Sequence, residues 1–461
     1  MKMTVEEIGK AVSSKNDLNR FKNVEVTSVA FDSRKLKSGA LFIPLVGTHD
    51  GHDYLSSAIK NGAVATLWSD QRSDVPSDFP AIVVHDTLAA FQTLAKFYLH
   101  KVHPKVIAVT GSNGKTTTKD MIAAVLSTKY NVIKTPNNYN NNIGVPYTML
   151  SINDSTDILV VEMGMDRSGQ LDFLSKLVTP DIAVITMIGE AHIEYFGTRD
   201  RIADAKVEIT HGLKDSGTFV YYGDEPLLRE RAKRVHQKQL TFGRRKNDDL
   251  YATSTNDEQT KTSFKTNRFA DTNFIIPMMG DYNVNNALDA LLVGSMFKVT
   301  PEQMKRGLLD VHLTQNRAEW MVGSKGELIL SDVYNSNPTA ARVVLDSFSK
   351  TKTNGKRIVV LGDMLELGRQ SEAMHVSLSK HIDPKLIDSV YLIGTHVKAL
   401  YHALLHQYSA DHLHYYPTDQ LKVMTQKLKS EINRHDEILL KASHGIHLEK
   451  VLDELQPKKL S

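Results

Sequence analysis

The sequence predicts an α/β protein of three domains, and two observations carry the prediction. Short apolar strands alternate with helical stretches along most of the chain, which is typical of parallel sheets covered by helices. The chain has 461 residues, which is too long for a single hydrophobic core. We therefore expect a small N-terminal α/β domain over residues 1–102, a central parallel-sheet domain over 103–313, and a C-terminal doubly wound, Rossmann-like domain over 314–461.

The first predicted domain has few regular elements. Strands at 40–45 and 81–84 precede a helix at 87–98. The segment 102–105 is a plausible linker, because Pro104 stops a helix and biases the preceding residue towards extended structure.

The two later domains contain continuous apolar runs of the kind found in sheets covered on both faces. The predicted strands lie at 106–109, 157–162 and 181–186 in the central domain and at 327–331, 357–361, 389–393 and 437–441 in the C-terminal domain. The polar segment 247–275 predicts a small antiparallel excursion or a mobile hairpin, and helices at 285–297 and 301–310 follow it.

Composition and charge narrow the class of protein. The net charge of +3 is small for this length, so we expect neither a nucleic-acid partner nor a membrane partner. The absence of cysteine excludes disulfides and thiolate chemistry and fits a reducing cytoplasm. No apolar signal core or run of about 18 apolar residues is present, so we expect a cytoplasmic protein. We also expect a monomer, which no sequence feature indicates.

Residues 106–118 form the most informative stretch of the chain. A buried strand leads into a glycine-bearing turn, and helical spacing of apolar residues begins at 119. Such a unit cradles phosphate: backbone N–H groups approach the oxygens, Lys115 reaches the outer phosphates and Thr116 can ligate Mg²⁺. Val109 holds the place of the first glycine of the common loop. The alternative is a plain turn with an exposed lysine, which the flanking strand and helix disfavour.

Three further side chains are candidates for chemistry, two of them near strand ends. Glu162 ends its strand, where an acid directed at Mg²⁺ is expected in a nucleotide-hydrolysing fold, although an acid that caps a turn is an equal alternative. His192 follows the strand at 181–186 and favours a metal only modestly, since the chain has 19 histidines. Lys206 is by default a solvated helix lysine, and carbamate formation with CO₂ would need a site that favours the product.

Two clusters of asparagines lie at 137–142 and 280–286. Asparagine tolerates left-handed turns and caps helices, so loop and cap chemistry is one interpretation. The other is neutral hydrogen bonding to a base, a sugar or a peptide, because each amide offers donors and an acceptor.

Taken in order, these segments resemble the Mur ligases, a family of ATP-dependent enzymes that form amide bonds in peptidoglycan precursors. The family turn T-G-[ST]-N-G-K-T-[ST] matches residues 110–117. Further family patterns match residues 138–146, 162–171, 191–209, 332–338 and 361–368, and the first domain offers matches at 32–34 and 47–53. The resemblance therefore covers nearly the full length.

The resemblance implies roles for individual residues. ATP would lie on Gly111, Ser112, Asn113, Gly114, Lys115, Thr116 and Thr117, with Asn283 and Asn286 on the adenine side and with Arg317 and Asp332 towards phosphate and ribose. The uridine nucleotide would be held by Ser33, Arg34, Asp50, Gly51 and His52, and the peptide substrates by Asn140, Asn141, Tyr334, Asn335 and Asn337. Thr116 and Glu162 would serve one Mg²⁺, and His192 and a carbamylated Lys206 would serve a second. Lys115, Lys206, His192 and Glu162 would thus be the catalytic residues.

The resemblance also implies an activity. The expected reaction joins D-alanyl-D-alanine to UDP-N-acetylmuramoyl-tripeptide through an acyl phosphate, with ATP as the phosphoryl donor. The C-terminal domain would close over ATP and bind the incoming dipeptide. Three positions depart from the family pattern: Asn137 replaces a frequent glycine, Met187 a frequent asparagine and His444 a frequent arginine. A neutral histidine cannot offer the two-pronged contact of arginine, so a carboxylate-binding role at 444 is in doubt.

Other functions stay open from the sequence alone. Within the same superfamily, the chain could add one amino acid to a UDP-muramoyl-dipeptide or a glutamate to a folate, and the segments 332–338 and 361–368 argue against both. A nucleotide switch or motor would also use the loop, but it would release phosphate without an acceptor amine. The sequence does not distinguish L-lysine from diaminopimelate in the tripeptide, or D-alanyl-D-alanine from D-alanyl-D-lactate as the acceptor.

Overall fold

The structure is a computed structural model that describes residues 1–314 and 317–459. Its strands, in chain order, are β1 (Met3–Thr4), β2 (Glu25–Val26), β3 (Ser28–Ala30), β4 (Ala40–Phe42), β5 (Ala63–Ser69), β6 (Ala81–Val84), β7 (Lys105–Thr110), β8 (Val132–Lys134), β9 (Ile158–Glu162), β10 (Ile182–Ile185), β11 (Thr218–Tyr222), β12 (Lys238–Gly243), β13 (Leu250–Asp257), β14 (Thr262–Thr266), β15 (Phe274–Ile276), β16 (Glu319–Val322), β17 (Leu328–Asp332), β18 (Arg357–Gly362), β19 (Ser389–Ile393), β20 (Leu413–Tyr416), β21 (Glu437–Lys441) and β22 (Lys458–Lys459).

The helices, in chain order, are α1 (Val5–Ala11), α2 (Leu55–Lys60), α3 (Thr87–Val102), α4 (Lys115–Ser127), α5 (Gly144–Leu150), α6 (Gln170–Val178), α7 (Ile193–Phe196), α8 (Arg199–Val207), α9 (Pro226–Ala232), α10 (Asp281–Met296), α11 (Pro301–Leu309), α12 (Pro338–Phe348), α13 (Ser371–Ser377), α14 (Lys398–Leu404), α15 (Leu421–Glu431) and α16 (Glu449–Leu455). Short 3₁₀ turns lie at Asn19–Phe21, Gly51–Tyr54, Glu208–Thr210, Gly368–Gln370, Leu378–His381, Thr418–Gln420 and His444–Ile446. None of the helices in the described ranges combines the length and the apolar character that crossing a bilayer requires.

Two compact units make up the chain. Unit 1 comprises Met1–Thr110, Lys129–Val184 and Glu208–Phe219, and unit 2 comprises Gly111–Thr128, Ile185–Val207 and Val220–Ser461. Residues of the predicted central domain fall in both units. The limits of the three domains at 102/103 and 313/314 therefore stay predictions.

Unit 1 contains a parallel sheet of four strands in the order β3-β4-β5-β6 and a separate antiparallel pair, β1 and β2. Helix α3 is capped at its start by Asp86, whose carboxylate accepts from the Ala89 N–H, and at its end by His103, which adopts a left-handed φ of 56°. The predicted linker is thus no longer than the two residues between α3 and β7. In this unit β7 and β8 each pair in parallel with β9, so that β9 lies between them.

Unit 2 contains the antiparallel strands β13, β14 and β15, which confirms the antiparallel alternative for the polar segment. Helix α10 begins at Asp281, four residues before the predicted start, so the second asparagine cluster is helical. Helix α4 begins at Lys115 and not at 119, because Gly114 takes a left-handed φ of 80° as the N-cap residue. The turn that cradles phosphate is therefore shorter than predicted.

The C-terminal part of unit 2 is built on a sheet of seven strands in the order β20-β19-β18-β21-β17-β16-β22. The strands β20, β19, β18, β21 and β17 are parallel, and β16 and β22 pair antiparallel. Their buried side chains pack against apolar residues of α15 and α16, such as Met424 and Val451. The four predicted strands are present, whereas β16, β20 and β22 were not predicted.

Candidate active site

The loop before α4 requires glycine at two positions. A Cβ at Gly111 would lie 1.8 Å from the Thr186 hydroxyl, and a Cβ at Gly114 would lie 2.5 Å from Oδ1 of Asn286. Gly114 also has a left-handed φ, which L side chains rarely adopt. The two glycines thus let the backbone approach its neighbours closely and leave the N–H groups of the helix start available to an anion.

Residues after β10 hold the loop in place. The Ser112 N–H donates to Met187 O at 3.0 Å, and the Thr186 hydroxyl donates to Asn113 O at 2.5 Å. The amide of Asn113 lies 3.7 Å from the Met187 sulfur. Met187 therefore supports the loop mainly through its backbone carbonyl, which any residue at this position would supply.

Lys115 and Thr116 begin the helix that follows the loop. Lys115 Nζ donates to Gly111 O at 2.8 Å, so the amine is folded over the loop. Thr116 is 1% exposed, and its Oγ1 has no hydrogen-bond partner among the described residues. A buried hydroxyl without a partner costs free energy unless a ligand satisfies it. Thr117 is half-buried. This pattern fits a phosphate on the loop and a divalent cation at Thr116.

Lys206 lies in α8 and is 2% exposed. Burial, together with the charge of Lys115, holds the pKa of the Lys206 amine well below its usual range. In the described part of the chain, no carboxylate forms an ion pair with it. The predicted solvated helix lysine is therefore excluded, and the amine is in an environment that favours its neutral form.

His192 is held by a carboxylate from the C-terminal part of the chain. Its Nδ1 lies 2.5 Å from Oε2 of Glu366. The residues that the structure describes contain no group of three or more His, Asp or Glu side chains arranged for a metal ion. The predicted second site, with His192 and a carbamylated Lys206 as its ligands, is not such a group and stays a prediction.

Two more contacts join the loop region to the start of α12. The Asn113 and Asn337 side-chain amides donate to each other at 3.2 and 2.7 Å. Glu190 accepts from both the N–H and the hydroxyl of Thr339, at 3.2 and 3.1 Å. Asn337 also caps α12 by accepting from the Ala340 N–H at 3.0 Å. The structure therefore brings Asn337, predicted for the peptide, directly against the phosphate loop.

Asn283 and Asn286 are linked to α4 by side-chain hydrogen bonds. The Asn286 amide donates to Oδ1 of Asn283 at 3.0 Å and accepts from the Thr118 hydroxyl at 3.2 Å. Asn283 donates to Met279 O at 2.8 Å and is 4% exposed. These bonds tie α10 to the helix that carries the loop.

Asp332, at the end of β17, is paired with a buried lysine. Lys441 Nζ lies 2.5 Å from Oδ2 of Asp332 and donates to Asn335 O at 3.0 Å. The Asn335 side chain accepts from the Ser336 N–H at 2.8 Å. Lys441 was not singled out from the sequence, although its position at the end of β21 could have indicated it.

Arg317, Tyr334 and His444 form a second group. The Arg317 guanidinium lies 4.2 Å from the centroid of the Tyr334 ring, and the His444 ring stacks on Tyr334 at 6.0 Å and 23°. Nε of Arg317 is buried without a hydrogen-bond partner among the described residues. His444 thus contacts a predicted peptide residue through its ring.

The remaining predicted residues of the central domain lie in unit 1. Glu162 ends β9 and is fully buried, and the Asn140 amide donates to its Oε1 at 2.8 Å. Asn141 accepts from the N–H groups of Ile143 and Gly144, just before and at the start of α5. Asn137 has a left-handed φ of 46°, which explains why its place suits glycine.

The predicted uridine-nucleotide residues also lie in unit 1. Arg34 is exposed and forms a fork with Asp32, with both N–O distances 2.9 Å. Ser33 is half-buried. A Cβ at Gly51 would lie 2.7 Å from the Leu45 backbone, so only glycine fits there.

Asp50 and His52 are joined in a hydrogen-bond network. The His52 ring is buried; its Nδ1 lies 2.6 Å from Asp50, and its Nε2 accepts from the Ser69 N–H at 3.1 Å. Arg72 adds an ion pair to Asp50 at 2.9 Å. Burial alone would raise the pKa of Asp50, but the hydrogen bonds from His52 and Arg72 outweigh it and lower this pKa to about 2. Both ring nitrogens of His52 are thus engaged within the protein, and Arg72 is a residue that sequence reasoning missed.

The loop before α4 combines three features: close-packed glycines, a lysine amine folded over the loop, and a buried threonine hydroxyl without a partner among the described residues. Together they define a nucleotide-binding protein of the phosphate-loop class. Family models agree and are more specific. They match the Mur ligase family catalytic domain over residues 25–98, the Mur ligase middle domain over 109–294 and the Mur ligase, glutamate ligase domain over 316–444. The chain belongs to the Mur ligase family.

Individual relatives cover the whole chain. UDP-N-acetylmuramoyl-tripeptide--D-alanyl-D-alanine ligase of Bacillus subtilis is 39% identical over 100% of both chains. The crystal structure I of MurF from Acinetobacter baumannii has a TM-score of 0.87 at 26% identity and covers 99% of each chain. The MurF ligase of Thermotoga maritima, solved in complex with ADP, has a TM-score of 0.79 at 28% identity and covers 94% of this chain and 97% of that one. The family resemblance and the α/β fold predicted from the sequence are confirmed.

Proposed function

We propose that this chain is an ATP-dependent ligase that joins D-alanyl-D-alanine to UDP-N-acetylmuramoyl-tripeptide, with release of ADP and phosphate. The product would be the UDP-muramoyl-pentapeptide used for peptidoglycan. The observation that carries the proposal is the full-length match, at 39% identity, to the Bacillus ligase of that name. The phosphate loop at Lys115 and Thr116 supports it, because the reaction needs a triphosphate. A cytoplasmic location and a monomeric state stay predictions.

The chemistry explains why ATP is needed. A carboxylate does not acylate an amine at neutral pH, because it repels nucleophiles and has no leaving group. Transfer of the γ-phosphoryl group to the terminal carboxylate of the tripeptide forms an acyl phosphate and ADP. The amine of D-alanyl-D-alanine then attacks the acyl carbon, and the tetrahedral intermediate expels phosphate. Both reactants of the first step are anions, so the protein must neutralise charge and align them.

Lys115 and the N–H groups at the start of α4 are suited to this task. The Lys115 amine now rests on Gly111 O at 2.8 Å, and an anionic γ-phosphate is a stronger partner than a neutral carbonyl. Thr116 would hold one Mg²⁺ through Oγ1, since that buried atom has no hydrogen-bond partner in the described structure. When bound, Mg²⁺ would supply charge neutralisation at the phosphates. The assignment of Glu162 to the same ion stays a prediction from the family resemblance.

Lys206 would serve the second cation as a carbamate. Its uncharged amine would attack CO₂, form an N–C bond and release one proton, which leaves an anionic carboxylate on the side chain. The support is the burial of Lys206 and the lowered pKa of its amine, since only the neutral amine reacts. Carbon-13 bicarbonate should label one lysine in the wild type and none in Lys206→Ala. Short carboxylic acids should restore activity to Lys206→Ala, and an unaffected variant would refute this role.

The remaining assignments place substrates around these residues. Asn283, Asn286, Arg317 and Asp332 would contact ATP, and Tyr334, Asn335 and Asn337 would contact the peptide substrates, together with Asn140 and Asn141. Ser33, Arg34, Asp50, Gly51 and His52 would hold the uridine nucleotide. For His52 the support is indirect, because its ring nitrogens already bond to Asp50 and to the Ser69 N–H.

A phosphate-release assay across a matrix of substrates tests the function. UDP-muramoyl-tripeptides with L-lysine or diaminopimelate would be combined with D-alanyl-D-alanine, D-alanyl-D-lactate, L-lysine or L-glutamate. We expect release only with a UDP-tripeptide and D-alanyl-D-alanine together, or a close analogue. Lys115→Met should lose at least a hundredfold in rate, while Lys305→Met, at an exposed lysine of α11, should match the wild type. Phosphate release without an acceptor amine would refute the ligase.

A further inference from the structure

Glu366 is the acidic residue in contact with the predicted metal ligand His192. Its Oε2 lies 2.5 Å from Nδ1 of His192. With Nδ1–H donating to the carboxylate, Nε2 is the nitrogen that carries a lone pair. No described residue bonds to Nε2. A carboxylate on the far nitrogen is the usual partner of a histidine that ligates a metal, because it sets the tautomer and the ring orientation.

A backbone contact accompanies the side-chain contact. The Glu194 N–H donates to Glu366 O at 3.0 Å, so the segment around Glu366 docks on the start of α7 at two points. Gly368 lies against the same residue, since a Cβ there would come within 3.3 Å of the Glu194 Cα. These contacts fix the backbone of Glu366 close to His192, within reach of its carboxylate.

Both partners have an unfavourable backbone conformation. His192 has a φ of 64° and Glu366 a φ of 60°, in the left-handed region that residues with a Cβ rarely occupy. The pair is also partly exposed, with side-chain exposures of 27% and 41%. Partly exposed ion pairs contribute little to stability, so this one does not compensate for two strained residues. Strain of this kind is concentrated at functional sites.

We propose that Glu366 is a positioning residue for His192. It holds the imidazole so that Nε2 is presented to a divalent cation bound with the nucleotide. Glu366 follows β18 in the C-terminal part of the chain. That part would therefore contribute to the cation site indirectly, by orienting His192. The proposal rests on the function proposed above, and specifically on His192 as a ligand.

The test uses Mn²⁺ in place of Mg²⁺, with a non-hydrolysable ATP analogue and full-length enzyme labelled with nitrogen-15 histidine. Pulsed electron paramagnetic resonance detects the coupling of Mn²⁺ to a coordinated histidine nitrogen. We expect the coupling in the wild type and its loss in His192→Gln. Glu366→Ala should lose the coupling and bind Mn²⁺ at least tenfold more weakly, in line with the loss of a carboxylate behind a metal ligand.

Two further variants separate positioning from general damage. Glu366→Gln keeps an acceptor for Nδ1–H and should retain the coupling, with affinity within about threefold of the wild type. Glu372→Gln, at an exposed acid in α13, should match the wild type. Thermal midpoints measured on all variants would show that Glu366→Ala is folded.

Two outcomes would overturn the proposal. One is an unchanged coupling and Mn²⁺ affinity in Glu366→Ala, and the other is a wild type that shows no histidine coupling. The function is tested separately by phosphate release with D-alanyl-D-alanine. If the wild type shows the histidine coupling but releases no phosphate with D-alanyl-D-alanine, the ligase function is rejected. The role of Glu366 in positioning His192 at a bound cation would then still stand.

Discussion

Replacement of Gly114 by alanine tests the conclusion that the phosphate loop depends on close packing. Gly114 has a φ of 80°, and a Cβ there would lie 2.5 Å from Oδ1 of Asn286. The chain offers a matched control in Gly169, which caps α6 with a φ of 87° and has nothing within 4 Å of an added Cβ. Both substitutions place a side chain in left-handed backbone, but only the first creates a clash.

The two costs can be estimated separately. The left-handed backbone costs an alanine about 1–2 kcal/mol, and Gly169→Ala should lose only this amount. In Gly114→Ala the Asn286 amide must also move. It would lose its bonds with Thr118 at 3.2 Å and Asn283 at 3.0 Å, each of which contributes about 1 kcal/mol. We therefore expect Gly114→Ala to lose about 3–4 kcal/mol.

Urea unfolding gives the difference in stability between the two variants, and calorimetric titration gives the affinity for ADP with Mg²⁺. Gly114→Ala should bind ADP at least tenfold more weakly, whereas Gly169→Ala should bind it as the wild type does. The double variant Gly114→Ala with Asn286→Ala should lose less stability than the sum of the two single variants. Both substitutions remove the same hydrogen bonds of Asn286, and these can be lost only once. Equal stability and equal affinity in the two glycine variants would show that the packing argument is wrong.

Other predictions concern buried polar groups. Thr116→Val should leave the free energy of unfolding unchanged or raise it by up to about 1 kcal/mol, because Oγ1 has no partner among the described residues. The same variant should bind ADP with Mg²⁺ at least tenfold more weakly, and an unchanged affinity would exclude Thr116 as a ligand. Asp289 is buried with neither carboxyl oxygen bonded to a described residue, and burial raises its pKa well above the usual range. Below about pH 4 the carboxyl group is neutral in both the folded and the unfolded state. Above that pH the unfolded state ionises first, so stability should fall as pH rises, and Asp289→Asn should flatten this part of a thermal-midpoint profile between pH 5 and 8. Asp50, with its pKa lowered to about 2, contributes stability above pH 4 that is lost as pH falls towards 2. Asp50→Asn should lower the free energy of unfolding in urea by about 1 kcal/mol at pH 7 after solvent screening. Equal stabilities of the variant and the wild type would contradict the network with Arg72.

Much of the loop and its flanking elements was predictable from local sequence. Strand β7 and helix α4 were expected from a short apolar run and from apolar residues at helical spacing, and both are present. The start of α4 was placed four residues late, because the sequence does not reveal that Gly114 adopts the left-handed conformation of an N-cap. The start of α10 was also placed four residues late, because a cluster of asparagines suggests a loop. In the structure these residues are helical: Asn286 bonds to Asn283 within the helix and to the Thr118 hydroxyl of α4.

The sequence by itself determined the fold class, the phosphate loop and the family, because these depend on periodicity, on glycines and on motifs that are read within short segments. Only the tertiary structure decided what surrounds each candidate side chain. Lys206 has the sequence context of a surface lysine, yet burial holds the pKa of its amine well below the usual range. His192 meets Glu366 across 174 residues of sequence, a pairing that no local pattern encodes. Burial and long-range contacts arise from the packing of distant segments, and these set the desolvation and the charges that give a titratable group its chemistry.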